Sequence, residues 1–286
     1  MSKVLLVTGC RSGFGYGTAI AAAHAGWRVY AGLRDPATGE ALRSASRGLP
    51  VFPIPLDVTQ VGEREEAVAR IRRDEGALHG LVNNAGQALG GFLEQVEEDE
   101  LRRLFDVNVF GAWGMTKACL PLLRESGGGT VVMLSSMSGR TAVPGLAAYA
   151  GSKFALEGLS EGWRHELALF KIRVVLIEPG AYRTDIFGRN RTLCRAARDQ
   201  SGPYTPWMEP LDQLCDRLVE RYAGDPREVV DRIVALLEDP RPPLRVPLGP
   251  LAKPREKLLA LLPFSAVELL FSQILGRLRQ GPENRG

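Results

Sequence analysis

The chain has 286 residues, 45% of them apolar and 24% charged, with a formal net charge of +3 at neutral pH. Those figures suit one soluble α/β domain with a substantial core, and the charge is too small and too scattered for a nucleic-acid surface, which needs Lys and Arg concentrated on one face. Cys10, Cys119, Cys194 and Cys215 show no paired spacing and His24, His79 and His165 stand apart, so neither a metal site nor a disulfide framework is expected.

Met1-Ser2-Lys3 runs directly into the apolar run Val4-Leu5-Leu6-Val7, leaving no signal-length segment ahead of it, and we expect a cytoplasmic protein. Val7-Thr8-Gly9-Cys10 imitates a lipoprotein box, but four apolar residues cannot serve as a signal core. The run leads into Thr8-Gly9-Cys10-Arg11-Ser12-Gly13-Phe14-Gly15 and a helical stretch over 16–25. Strand, glycine-rich turn and helix start together make a phosphate cradle, because glycines let the backbone approach a diphosphate while free amides and the helix dipole favour negative charge. Further Val/Leu/Ile-rich strands are expected near 27–33, 51–56, 80–82, 130–134, 173–177 and 244–248, alternating with helices. Such continuous apolar runs belong to a parallel sheet covered on both faces. The expected architecture is a doubly wound (Rossmann) seven-stranded α/β domain over 1–250, followed by a helical extension over 251–286.

Tyr149 stands four residues before Lys153, which on a helix puts a phenol and an ammonium on one face. A neighbouring cation favours the tyrosinate and so makes the phenol a better acid-base group at neutral pH. Other marks follow in order: Asp57-Val58 after the third strand, Asn83-Asn84-Ala85-Gly86 after the fourth, Asn108, Ser136 thirteen residues before Tyr149, and Pro179-Gly180 with Thr184. Singly, these residues also serve as turn formers, strand-end caps and helix residues bonding their own backbone. Together, over roughly 3–185, they resemble the short-chain dehydrogenase/reductase family, whose opening motif is Thr-Gly-x-x-x-Gly-x-Gly. The hydroxysteroid and retinol dehydrogenase-like branch is the most similar, with Leu33-Arg34-Asp35-Pro36 and Glu178-Pro179-Gly180 in support.

The resemblance implies a carbonyl/alcohol oxidoreductase that uses a nicotinamide dinucleotide and no metal. Tyr149 is then the acid-base residue, Lys153 lowers its pKa and binds the nicotinamide ribose, Ser136 bonds the substrate oxygen, and Asn108 positions a water. Gly9, Arg11, Ser12, Gly13, Phe14, Gly15, Asp57, Val58, Asn83, Ala85, Gly86, Pro179, Gly180 and Thr184 are expected against the cofactor. At the tip of the second strand an arginine, Arg34, and an acid, Asp35, stand side by side. Arginine favours a 2′-phosphate and a carboxylate a free ribose hydroxyl, so we expect NADP(H), with NAD(H) the alternative.

The segment 185–225 lies where the family places its substrate lid, and Tyr204, Pro206, Trp207 and Met208 are candidates for an apolar pocket wall or for loop anchors. Arginines at 189, 191, 195 and 198 read as a solvated helix face. Beyond residue 257 a leucine-rich stretch is broken by Pro263 and cannot span a membrane, yet Val267, Leu270, Phe271, Ile274, Leu275 and Leu278 form one helical stripe. That stripe suits packing on the domain or on a second subunit, with a pocket rim or a membrane-surface contact as the alternatives. The expected substrate is a small lipophilic carbonyl or alcohol, and the expected assembly a homodimer or homotetramer. A dinucleotide-binding regulator and a redox-neutral epimerase or dehydratase are the competing classes.

Overall fold

The computed structural model describes residues 2–183, 191–198, 202–250, 252 and 261–279. Seven strands, β1 (Val4–Val7), β2 (Arg28–Leu33), β3 (Val51–Pro55), β4 (Gly80–Asn83), β6 (Gly129–Leu134), β7 (Ile172–Pro179) and β9 (Arg245–Leu248), form one sheet in the order β3-β2-β1-β4-β6-β7-β9. Every pairing is parallel. The order reverses beside β1, and ligands of such sheets bind in the crevice above that switch point.

Alternation along the strands divides the core in two. Leu5, Val7, Val29, Val175 and Ile177 face α1 (Gly13–His24), α2 (Glu40–Ala45) and α8 (Pro226–Glu238). Val4, Leu6, Tyr30, Val174 and Leu176 face α3 (Val61–Glu75), α5 (Ala112–Glu125) and α6 (Ala147–Ala168). Each such fully buried aliphatic side chain stabilises the fold by about 1.5–3 kcal/mol. Prolines break the rule only at the margins: Pro53 and Pro55 lie in β3 and Pro247 in β9, the two outer strands, where a missing ladder donor is tolerated.

A second, two-stranded parallel sheet pairs β5 (Ala88–Gly90) with β8 (Arg191–Leu193). Three-residue strands carry no periodicity, so this pairing is invisible in the sequence. It ties the lid segment to the loop after β4. Between α4 (Glu98–Phe105) and α5 the chain makes a π-helical turn over Asp106–Gly111, an irregularity frequent at functional sites. The lid carries α7 (Thr205–Tyr222), against which α9 (Phe264–Arg279) packs. Val267, Phe271, Ile274, Leu275 and Leu278 of the expected stripe are half-buried, while Leu270 stays exposed. No helix among the described residues is long and apolar enough to cross a membrane.

Candidate active site

The glycine-rich turn has a physical reason for each small residue. Gly9 lies at φ +71°, and a Cβ there would approach Ala85 Cα to 2.9 Å. A Cβ on Gly15 would lie 2.3 Å from Asn84 Nδ2 and 2.6 Å from the Gly9 carbonyl. Asn84 holds the turn from below, donating to the carbonyls of Thr8 (2.8 Å) and Gly9 (3.0 Å), while Thr8 Oγ1 accepts from the amides of Asn84 and Ala85. The turn is thus pinned open at the start of α1, and the cradle fits a dinucleotide diphosphate.

A cleft of about 660 Å³ runs from it. Of the residues assigned to the cofactor from the sequence, Gly9, Arg11, Ser12, Gly13, Phe14, Arg34, Asp57, Val58, Ala85 and Gly86 line it. Gly15 lies behind the turn. Asn83 does not reach the cleft: its amide donates to Thr116 Oγ1 (2.9 Å) and Met133 Sδ (3.1 Å) on the sheet's other side. Asn84, one residue on, faces the cleft instead. Thr184 lies outside the described residues. Arg34 and Asp35 both line the cleft, but the Asp35 carboxylate already accepts from the Ala37 amide (2.9 Å), capping a short helical turn. Arg34 makes no ion pair among the described residues.

A small niche follows, lined by Phe14, Asn84, Gly86, Ser136, Tyr149, Lys153, Pro179 and Gly180. Ser136, at the end of β6, accepts from the Ser138 amide (3.0 Å) and shares a side-chain hydrogen bond with Tyr149. Tyr149 and Lys153 follow one another on the first turns of α6, both almost fully buried, with Lys153 Nζ 5.8 Å from the phenol ring centre. Lys153 Nζ donates to the Leu134 carbonyl at 2.7 Å.

Among the protein's own groups, burial dominates and pushes the Tyr149 phenol up to about 12, against its bond to Ser136. Burial also pulls Lys153 down to about 8, against the attraction of Glu157. Lys153 alone therefore does not make Tyr149 acidic. Asn108 Oδ1 accepts from the Gln87 amide (2.8 Å), and its Nδ2 donates to the Gln87 carbonyl and to Ser152 Oγ (both 3.0 Å). Its side chain braces the loop after β4 against α6.

Ser136, Pro179 and Gly180 also line a third cavity, about 210 Å³ and largely apolar. Its outer wall is one stripe of α7: Met208, Leu211, Asp212, Cys215, Leu218 and Val219. Tyr204 and Trp207 are not in that wall. Tyr204 stacks on Phe92 at 4.6 Å, and Trp207 donates its indole N–H to the Leu275 carbonyl of α9 (3.0 Å). Of the arginine cluster, Arg195 is paired with Asp99. No group of three or more His, Cys, Asp or Glu side chains suited to a metal occurs among the described residues.

A dinucleotide cleft, a Ser–Tyr–Lys niche and an apolar chamber in series define a nicotinamide-dependent oxidoreductase. A family model described as short chain dehydrogenase matches residues 3–193, and the chain belongs to that family. It is 35% identical to the uncharacterized oxidoreductase YusZ of Bacillus subtilis, over 96% of this chain and 98% of that one. It is 32% identical to a 3-ketodihydrosphingosine reductase of Bacteroides thetaiotaomicron (88% and 89%). It is also 35% identical to 17-beta-hydroxysteroid dehydrogenase type 1 of Homo sapiens (85% and 76%), consistent with the hydroxysteroid dehydrogenase-like branch. Among solved structures, a short-chain dehydrogenase from Streptomyces avermitilis superposes with TM-score 0.80 at 36% identity, covering 96% of this chain and 98% of that one. One from Burkholderia cenocepacia, in complex with NADP, gives 0.72 at 28% (94% and 97%).

Proposed function

We propose that this protein interconverts a lipophilic ketone or aldehyde and its alcohol with NADP(H), using Tyr149 as the acid-base residue. The observation that carries the reading is that the three cavities share walls: Phe14, Asn84 and Gly86 line both the cleft and the niche, Ser136, Pro179 and Gly180 line both the niche and the apolar chamber, and Tyr149 stands in the niche between. A regulator that only bound dinucleotide would need no such chamber beside the niche, and an epimerase would require no lipophilic one.

In this reading the turn over residues 9–15 holds the diphosphate, Asp57 and Val58 flank the adenine, and Arg34 meets the 2′-phosphate. Arg34 lines the cleft and supplies a cation for a 2′-phosphate, while the neighbouring Asp35 carboxylate is turned to the Ala37 amide, and this favours NADP(H) over NAD(H). The NADP-bound Burkholderia structure supports the same choice. When bound, the nicotinamide supplies or accepts the hydride. Lys153 holds the adjoining ribose hydroxyls, Ser136 donates to the substrate oxygen, and Tyr149 delivers or removes its proton. Asn108 positions the water of this site, its side chain being held in place by Gln87 and Ser152. The lipid-like and steroid-like compounds named for two relatives agree with the apolar lining.

The exposed Phe110, Trp113 and Phe154, on and beside the helices carrying Asn108 and Tyr149, support a homodimer formed through them. Exposed Leu261, Phe264, Leu269 and Leu270, with Arg277 and Arg279 in the same helix, support contact of the tail with a lipid surface. All four cysteines are free, as a reducing cytoplasm would keep them.

The test is NADPH oxidation against long-chain and steroid ketones. Tyr149→Phe is expected to bind NADPH as wild type does while turnover falls about 10³-fold or more. Wild-type turnover in that variant rules out the assignment.

A further inference from the structure

Behind the niche lies a buried ionic cluster that the chemistry above leaves unused. Glu157 sits on α6 one turn after Lys153 and is 4% exposed. One carboxylate oxygen accepts from Arg245 Nε at 3.0 Å. The other is fully buried and has no hydrogen-bond partner among the described residues. Arg245, on β9, also binds Glu161 (2.5 Å) and lies 3.5 Å from the buried carboxylate of Glu178, which Arg140 approaches at 3.4 Å. The chain closes tightly over this group: a methyl on Gly139 would come within 3.0 Å of Glu157 Cγ and 2.8 Å of Ser135 Oγ.

Leaving a carboxylate oxygen buried without a donor costs stability, so its presence behind a buried lysine calls for a reason. Lys153 is 4% exposed, an environment that disfavours its charge. Glu157 is the group that opposes this burial. The other charges on elements packed against α6 are elsewhere engaged or solvated. Glu178 faces Arg140 and Arg245, Glu100 of α4 is bonded by the Arg195 amide, and Asp106 in the π-helical turn is exposed.

We propose that Glu157 is a positioning residue of the active site: its carboxylate, clamped by Arg245 one turn behind Lys153, keeps the buried lysine an ammonium. Arg245 fixes the position of the carboxylate while being shared with Glu161 and Glu178. The inference rests on the reading of Lys153 as an active-site cation, but its test needs neither substrate nor cofactor.

The chain has six lysines, so the ε-carbon resonances of ¹³C-lysine-labelled protein can be followed from pH 6 to 11, with Lys153→Met identifying the one of interest. Wild-type Lys153 is expected to titrate near pH 8. Glu157→Gln, which keeps size and one acceptor but removes the charge, should lower that midpoint by about one unit, and Glu157→Asp should leave it within about half a unit of wild type. A folded Glu157→Gln protein with wild-type Tm and an unmoved Lys153 midpoint overturns the proposal. If Glu157→Gln does not fold, the carboxyl carbon of Glu157 in wild type decides. A carboxylate shift throughout the range where Lys153 titrates supports the proposal, and a protonated one there overturns it. Failure of the enzymatic reading appears separately, as a wild-type protein with the expected titration and no carbonyl turnover.

Discussion

Two helices show how differently the halves of this molecule are built. α8, thirteen residues long, buries Val229, Val230, Ile233, Leu236 and Leu237 against the sheet. α7, at eighteen residues, buries none of its side chains, although it forms the outer wall of the apolar chamber. The first belongs to the half that fixes the cradle, the niche and the distance between Tyr149 and Lys153. The second leans over that half through a few contacts, such as Leu211 above Gly145, where a Cβ would come to 2.6 Å. In the function proposed above, the reacting groups belong to the packed half and the substrate-facing wall to the lightly packed one, the division of labour of a rigid scaffold and a less tightly packed cover.

Substitutions in each half can break that contrast. The largest effect is expected at Gly15→Ala, whose added methyl meets both Asn84 and the Gly9 carbonyl. Dinucleotide affinity measured by fluorescence titration should fall about 100-fold, and an unchanged Kd would show that the turn yields freely. Next comes Arg34→Ala. NADPH binding should weaken about 10- to 30-fold with NADH binding nearly unchanged, and equal losses would remove Arg34 from the 2′-phosphate site. The smallest effect belongs to the lid: Leu211→Ala should raise KM for a lipophilic ketone about 3- to 10-fold while kcat and Tm stay near wild type. A large drop in Tm instead would mean that α7 is part of the core after all.

Much of the packed half is legible in the sequence, because continuous apolar strands, a glycine turn and a fixed Tyr–Lys interval are local signals. Errors arise where direction matters more than identity. Asn83 ends β4 and its side chain turns to Thr116 on α5, whereas Asn84 begins the turn and points at the glycines. Successive residues in extended backbone face opposite ways, and spacing alone does not say which of two asparagines is up. Tyr204 and Trp207 mislead for a similar reason. Large aromatics suggest a pocket wall, yet the wall is the Met208–Leu211–Cys215 face, and the aromatics instead fasten the helix to Phe92 and to α9. The acidity of Tyr149 fails to follow from its neighbour because desolvation, which pairwise spacing does not register, is the larger effect.

The indole of Trp207 reaching the carbonyl of Leu275 couples the far end of the chain to the helix that shapes the chamber. If the chamber takes the substrate as proposed, α9 offers a handle on it from a distance: substitutions around Leu275 would shift the wall that α7 forms while leaving Ser136, Tyr149 and Lys153, which lie on other elements, in place.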